Sequence, residues 1–282
     1  MFKLHLMAAA YLLATISICA AQTTQPGGPP SAATCDQALK DSPRHGEWVD
    51  VPVTGTDRKI HTWVVYPERP DKAPVVLVIH EIFGMTNWVR AATDALAAEG
   101  YIAVAPDLLS GKGPNGGGTE SFPGGGQSGM GSGAVPAVSA LTAEEDAAAI
   151  DAVRKYAIAQ PSATDKTASI GFCWGGGTSF MYATHQPKLN AAIVCYGPPA
   201  KDEQLAKITC PVLGLYAGND ARITATVEPT KATMASLGKS YDPHIFDGAG
   251  HGFFRQQNNA PNAKGAAEGW HLALAFLKKN LQ

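Results

Sequence analysis

Residues 168–180 read ASIGFCWGGGTSF. An apolar run enters Gly171-Phe172-Cys173-Trp174-Gly175, more glycine follows, and then a segment compatible with helix. Small residues two positions either side of a central residue let a strand and a helix approach across a sharp turn. Such a turn lifts its central side chain above the sheet edge. Serine is the usual occupant, in the pattern Gly-x-Ser-x-Gly; here it is Cys173. A helix starting there favours a thiolate through its dipole and free N–H groups. The N–H of Trp174 would face an oxyanion developing at that position. Taken alone, Gly-x-Cys-x-Gly also suits a buried cysteine in a tight turn.

The surroundings favour a nucleophile. From residue 59 onward, short apolar runs alternate with longer helix-like segments. The runs are KIHTWVVYP, PVVLVIHE, YIAVAPDL, TASIGFC, AAIVCYG, PVLGLYAG and DPHIFDG. Several are continuously apolar, as strands buried on both faces of a parallel sheet must be. Between them lie NWVRAATDALAAEG, TAEEDAAAIDAVRKYAIAQ and TATVEPTKATMASLG, and NAKGAAEGWHLALAFLKKNL follows the last. Thr142 and Glu145 have the spacing of a capping box opening the second of these. The alternation predicts an α/β fold, a mostly parallel central sheet with helices on both faces, over residues 47–282.

Two further residues complete a constellation. Asp220 follows the run PVLGLYAG, where a carboxylate can orient a histidine or cap the next helix. His251 lies in the glycine-rich loop after DPHIFDG. The chain has eight histidines, and an ordinary surface role suits most of them. Cys173, Asp220 and His251 follow the chain order nucleophile, acid, base, each after an apolar run. A second oxyanion donor is expected from the loop after PVVLVIHE, where the N–H of Ile82 is the candidate. Glu81 beside it would oppose an oxyanion. It needs either a cation partner or a part in handling the thiol proton.

Together HEIFGMTNWVRAATDALAAEGYIAVAPDLL, GFCWGGG, YAGNDARI and GAGHGFFR resemble the dienelactone hydrolase (carboxymethylenebutenolidase) family of α/β-hydrolases. The resemblance runs from about residue 47 to residue 282. It implies an enzyme acting on ester or lactone bonds, without cofactor or metal. By this likeness Cys173 is the nucleophile, His251 the base and Asp220 its orienting acid. Glu81 matches a glutamate that meets the neutral thiol and takes its proton when substrate binds. Ile82 and Trp174 match the oxyanion-hole amides, and Arg255 an arginine that binds a substrate carboxylate. Members that cleave dienelactone carry a second arginine where this chain has residues 110–139. That glycine-rich stretch holds no arginine, and Lys112 is its only cation. Alternatives are a carboxylesterase of other specificity and a non-catalytic binding protein on a hydrolase scaffold.

Composition sets the remaining expectations. The chain has 282 residues, 45% apolar and 16% charged, with a formal net charge of −2. That balance gives no reason to expect nucleic acid or an anionic membrane as partner. A monomer acting on a small-molecule ester or lactone is expected. MFKLHLMAAAYLLATISICAAQ has one lysine, an apolar core and small residues, as a signal peptide cleaved after Ala21 does. A periplasmic or secreted protein is therefore expected, with no membrane association after cleavage. Residues 22–46 are expected to form a linker. Cys195 and Cys210 lie in apolar runs as small hydrophobes, whereas Cys35 has no evident partner. Residues 110–139 leave an apolar run's end and suit either a mobile lid or an insertion without a role.

Overall fold

The computed structural model describes residues 28–127 and 132–282. Eight strands form one sheet: β1 (Gly46–Pro52), β2 (Lys59–Val65), β3 (Ala73–Ile79), β4 (Ile102–Pro106), β5 (Ala163–Phe172), β6 (Ala191–Cys195), β7 (Val212–Ala217) and β8 (Tyr241–Phe246). Their spatial order is β1-β2-β4-β3-β5-β6-β7-β8. β1 and β2 pair antiparallel, as do β2 and β4, and every pairing from β4 through β8 is parallel. The parallel strands therefore end on one edge. β3, β4, β6 and β7 are buried at every position, which explains their uninterrupted apolar runs.

The helices are α1 (Cys35–Asp41), α2 (Asn87–Ala98), α3 (Val135–Ser139), α4 (Ala143–Ile158), α5 (Trp174–His185), α6 (Asp202–Leu205), α7 (Ala221–Thr224), α8 (Val227–Ser236) and α9 (Ala260–Leu281). Trp88 and Val89 of α2 with Trp270, Ala273 and Leu277 of α9 cover one face of the sheet. Ile150 and Val153 of α4, Phe180 of α5 and Met234 of α8 cover the other. The expected capping box opens α4: the Thr142 side chain accepts from the Glu145 N–H, and the Glu145 side chain accepts from the Thr142 N–H.

Two stretches differ from their expected form. Residues 28–46, expected as linker, are part of the packed unit. Within them α1 buries Cys35 completely against the α2 face. Trp88 donates its ring N–H to the Pro30 carbonyl (2.7 Å), and Gln257 donates to that of Pro29 (2.8 Å). β1 continues the sheet on its solvent-facing edge. The described part of 110–139 is anchored as well. Thr119 is buried, its N–H and hydroxyl both donating to the Asp107 carboxylate (2.7 Å each). Ala134 and Val138 form a small apolar cluster with Leu109, against which Trp174 packs. Cys195 and Cys210 are buried as expected. The expected signal segment, residues 1–21, lies outside the described residues.

Candidate active site

Four chain segments meet at the edge where the parallel strands end. Cys173 is the first residue after β5 and the N-cap of α5, with φ 57° and ψ −118°. A non-glycine residue at positive φ is strained, and the two glycines beside it explain how the turn survives. A Cβ on Gly171 would collide with the Gly175 backbone. One on Gly175 would lie 2.5 Å from the Ile79 carbonyl oxygen. Only glycine lets α5 pass this close to β3 and β5.

Cys173 Sγ lies 3.1 Å from His251 Nε2, and His251 Nδ1 lies 2.5 Å from Asp220 Oδ2. The loops after β5, β8 and β7 thus bring the three residues into one hydrogen-bonded chain. Asp220 is 9% exposed, so its carboxylate has little competing water. The N–H groups of Trp174 and Ile82 both donate toward the Cys173 sulfur and favour its thiolate. These are the two amides expected at the oxyanion position, and both act on the Cys173 sulfur. Arg222, exposed in α7, also favours the thiolate by its charge. Sequence reasoning passed over Arg222; its place two residues after Asp220 was the available signal.

Opposing effects hold the thiol neutral. Burial pushes the Cys173 pKa upward, and the Glu81 carboxylate pushes it further. Glu81 has the cation partner that its position demanded. Arg255 Nε lies 2.9 Å from Glu81 Oε2, with the side chains 6% and 2% exposed. Arg255 also lies over the Phe83 ring, 4.9 Å from its centroid. Arg255 is therefore closed on Glu81 here, while the family likeness assigns it to a substrate carboxylate. Burial raises the Glu81 pKa to about 7, and Arg255 opposes that rise. A carboxylate so poised can gain or lose a proton near neutrality.

Tyr196 backs the imidazole edge-on, with ring centroids 5.1 Å apart. Beyond Trp174 a cavity of about 480 Å³ opens between α4, α5 and the segment before α6. Its walls include Leu141, Met181, Pro198 and the buried Asp146, whose pKa burial raises to about 7. No cluster of His, Cys, Asp and Glu among the described residues could hold a metal ion.

Residues 60–281 match the model of the dienelactone hydrolase family. The chain belongs to the dienelactone hydrolase family. Its dienelactone hydrolase relatives include a carboxymethylenebutenolidase-like protein of Escherichia coli K12, 29% identical over 90% of this chain and 94% of the relative. Another, from Saccharolobus solfataricus, is 31% identical over 78% of this chain and 94% of the relative. A dienelactone hydrolase-like crystal structure from Klebsiella pneumoniae superposes with a TM-score of 0.70 at 25% identity, covering 84% of this chain and 99% of that one. The α/β-hydrolase fold follows from these matches and the sheet topology. Membership makes this protein a hydrolase acting on small-molecule ester or lactone bonds.

Proposed function

We propose that this protein is an exported cysteine hydrolase in which Cys173, His251 and Asp220 form the catalytic triad. The observation that carries the reading is the continuous chain from Asp220 through His251 to a sulfur faced by two backbone amides. The thiol proton passes to His251 Nε2, and Sγ attacks the carbonyl carbon. The carbonyl π pair moves to oxygen, where the Ile82 and Trp174 N–H groups hold the negative charge. The imidazolium, steadied by Asp220, gives its proton to the leaving alkoxide as the C–O bond breaks. His251 then takes a proton from water, whose oxygen attacks the thioester; the C–S bond breaks, the acid leaves, and the departing thiolate takes the proton back from His251.

Glu81 governs when the thiol ionises. Paired with Arg255 and charged, it disfavours a second negative charge on Sγ. A substrate carboxylate that draws Arg255 away leaves Glu81 unpaired and more basic. It then accepts a proton from solvent and stops opposing the thiolate, while the thiol's own proton goes to His251. Arg222 is a cation that can meet an anionic substrate without breaking the buried pair. Export rests on residues 1–21, and mass spectrometry of a periplasmic fraction should find a mature chain starting near residue 22.

The test is hydrolysis of p-nitrophenyl acetate and of a panel of lactones by wild type and Cys173→Ala. Loss of turnover with both classes in the variant supports the reading. Turnover at the wild-type rate would sink it. Preference for neutral short esters over lactones would favour a general carboxylesterase instead.

A further inference from the structure

His80 precedes Glu81 in sequence, is fully buried, and takes no part in the chemistry above. Its ring nitrogens have different partners. Nδ1 lies 2.8 Å from the Glu81 carbonyl oxygen, and Nε2 lies 3.3 Å from the Leu108 backbone N–H. A carbonyl can only accept and a backbone N–H can only donate. The tautomer is therefore fixed: Nδ1 carries the proton, and Nε2 offers its lone pair to Leu108. Protonation of Nε2 would set two N–H groups against each other in a fully buried site. Burial likewise pushes the His80 pKa down.

The carbonyl that His80 holds belongs to the Glu81–Ile82 peptide. The chain has no cis peptide among its described residues, so this group's C=O and N–H point in opposite directions. Fixing the oxygen fixes the direction of the Ile82 N–H, which donates toward the Cys173 sulfur. Gly84 N–H binds the same oxygen at 3.1 Å, so the carbonyl has a donor for each lone pair. The imidazole face also stacks on Trp174, the residue bearing the other amide, with centroids 5.5 Å apart and planes 16° apart.

We propose that His80 is the positioning residue of the oxyanion hole, holding the Glu81–Ile82 peptide plane through Nδ1–H and bracing Trp174 with its ring face. The proposal rests on the cysteine-hydrolase reading and adds a residue to it. Leu108 follows β4, so the histidine also ties the oxyanion loop to the base of the glycine-rich segment. An oxyanion hole works by having its donors aimed before charge develops. A buried neutral imidazole with both nitrogens satisfied can do that without titrating near neutrality.

The test compares His80→Leu and His80→Gln with wild type, using p-nitrophenyl acetate turnover per folded molecule, with the folded fraction taken from urea unfolding. Leucine fills space but bonds neither partner. A glutamine amide offers an N–H to Glu81 and a C=O to Leu108. Misaiming one donor predicts a kcat about 10–100-fold lower in His80→Leu, approaching the loss on deleting an oxyanion donor, with KM unchanged. His80→Gln should recover most of kcat. A trifluoromethyl ketone, whose adduct with Sγ bears an oxyanion, should lose affinity for His80→Leu by the same factor as kcat. A folded His80→Leu with wild-type kcat, or with ketone affinity unmoved, overturns the proposal. If His80→Leu does not fold, the 15N spectrum of histidine-labelled wild type decides. The Nδ1–H tautomer is expected for His80, and the Nε2–H tautomer refutes the assignment. Turnover by Cys173→Ala would instead remove the underlying hydrolase reading, so the two failures are separable.

Discussion

Arg255→Met tests the buried pair by counting protons. The substitution keeps an unbranched stem beside Phe83 and removes the cation. In the wild type, burial raises the Glu81 carboxyl from 4.5 to about 7, with Arg255 opposing the rise. Between those two values the native state holds a proton that the unfolded chain has released. Stability therefore falls as pH rises through this window, by about 1.4 kcal/mol per pH unit and about 3 kcal/mol in all. Above about 7 Glu81 is ionised in both states, and its contribution to the slope ends. Without Arg255 nothing offsets the burial, and Glu81 stays protonated in the native state to higher pH. The native proton excess then persists above 7. The stability gap between variant and wild type should be level below about pH 7 and widen above it by about 1.4 kcal/mol per unit, reaching about 2 kcal/mol by pH 8.5. Protonation offers the variant a cheaper escape than a bare buried carboxylate, for which a loss of about 3–5 kcal/mol would be expected. Urea unfolding followed by tryptophan fluorescence from about pH 6 to 8.5 measures the gap across this window. A gap that stays constant over that range refutes the coupling of Glu81 to Arg255.

Other consequences are open to direct measurement. Asp220→Asn removes the acceptor that fixes the His251 tautomer and should lower ester-hydrolysis kcat by about 10⁴-fold, as in a serine-protease triad; a loss below tenfold would mean that Asp220 does not orient the base. Glu81→Gln removes a charge that raises the Cys173 pKa, so iodoacetamide should alkylate the folded variant faster than wild type at neutral pH; an equal or slower rate contradicts that influence. Gly175→Ala forces a methyl against the Ile79 and His80 carbonyl oxygens, and backbone has no rotamer with which to yield. It should cost more than about 3 kcal/mol, the upper end for overpacking, and a wild-type melting temperature would show that the elbow tolerates a Cβ.

Burial explains what the sequence made visible. β3, β4, β6 and β7 were legible because both faces are covered, leaving no polar positions in the runs. β1 was missed because its burial pattern is mostly partial or exposed, so no apolar run marks it. α1 was missed for a related reason: it is seven residues long and buries only Cys35. The order of strands depends on pairing across long sequence separations, which no local pattern records. Cys173, Asp220 and His251 were legible because each stands just beyond a strand and their order matches a known logic. The partner of Glu81 was not legible, although the need for a cation was. Nothing local in the sequence connects Glu81 with Arg255, and likeness alone assigned the arginine a different task. His80 was hidden among eight histidines. Its distinction lies in what each ring nitrogen touches, which only the folded chain reveals.

The segment around Pro29 and Pro30 has a consequence for the order of synthesis. Gln257 reaches back across 228 positions to the Pro29 carbonyl, and Ala32 N–H donates to the carbonyl of Arg255 itself (2.8 Å). The ribosome makes the Glu81 strand early and the His251–Gln257 loop late. A nascent chain that has paired β3 with β4 and β5 still lacks the arginine that neutralises its buried glutamate, the histidine that meets its cysteine, and the clasp that closes its amino-terminal helix. All three arrive in one stretch of seven residues. Until that stretch emerges, the thiol has no imidazole beside it, so the proposed chemistry is withheld from the growing chain.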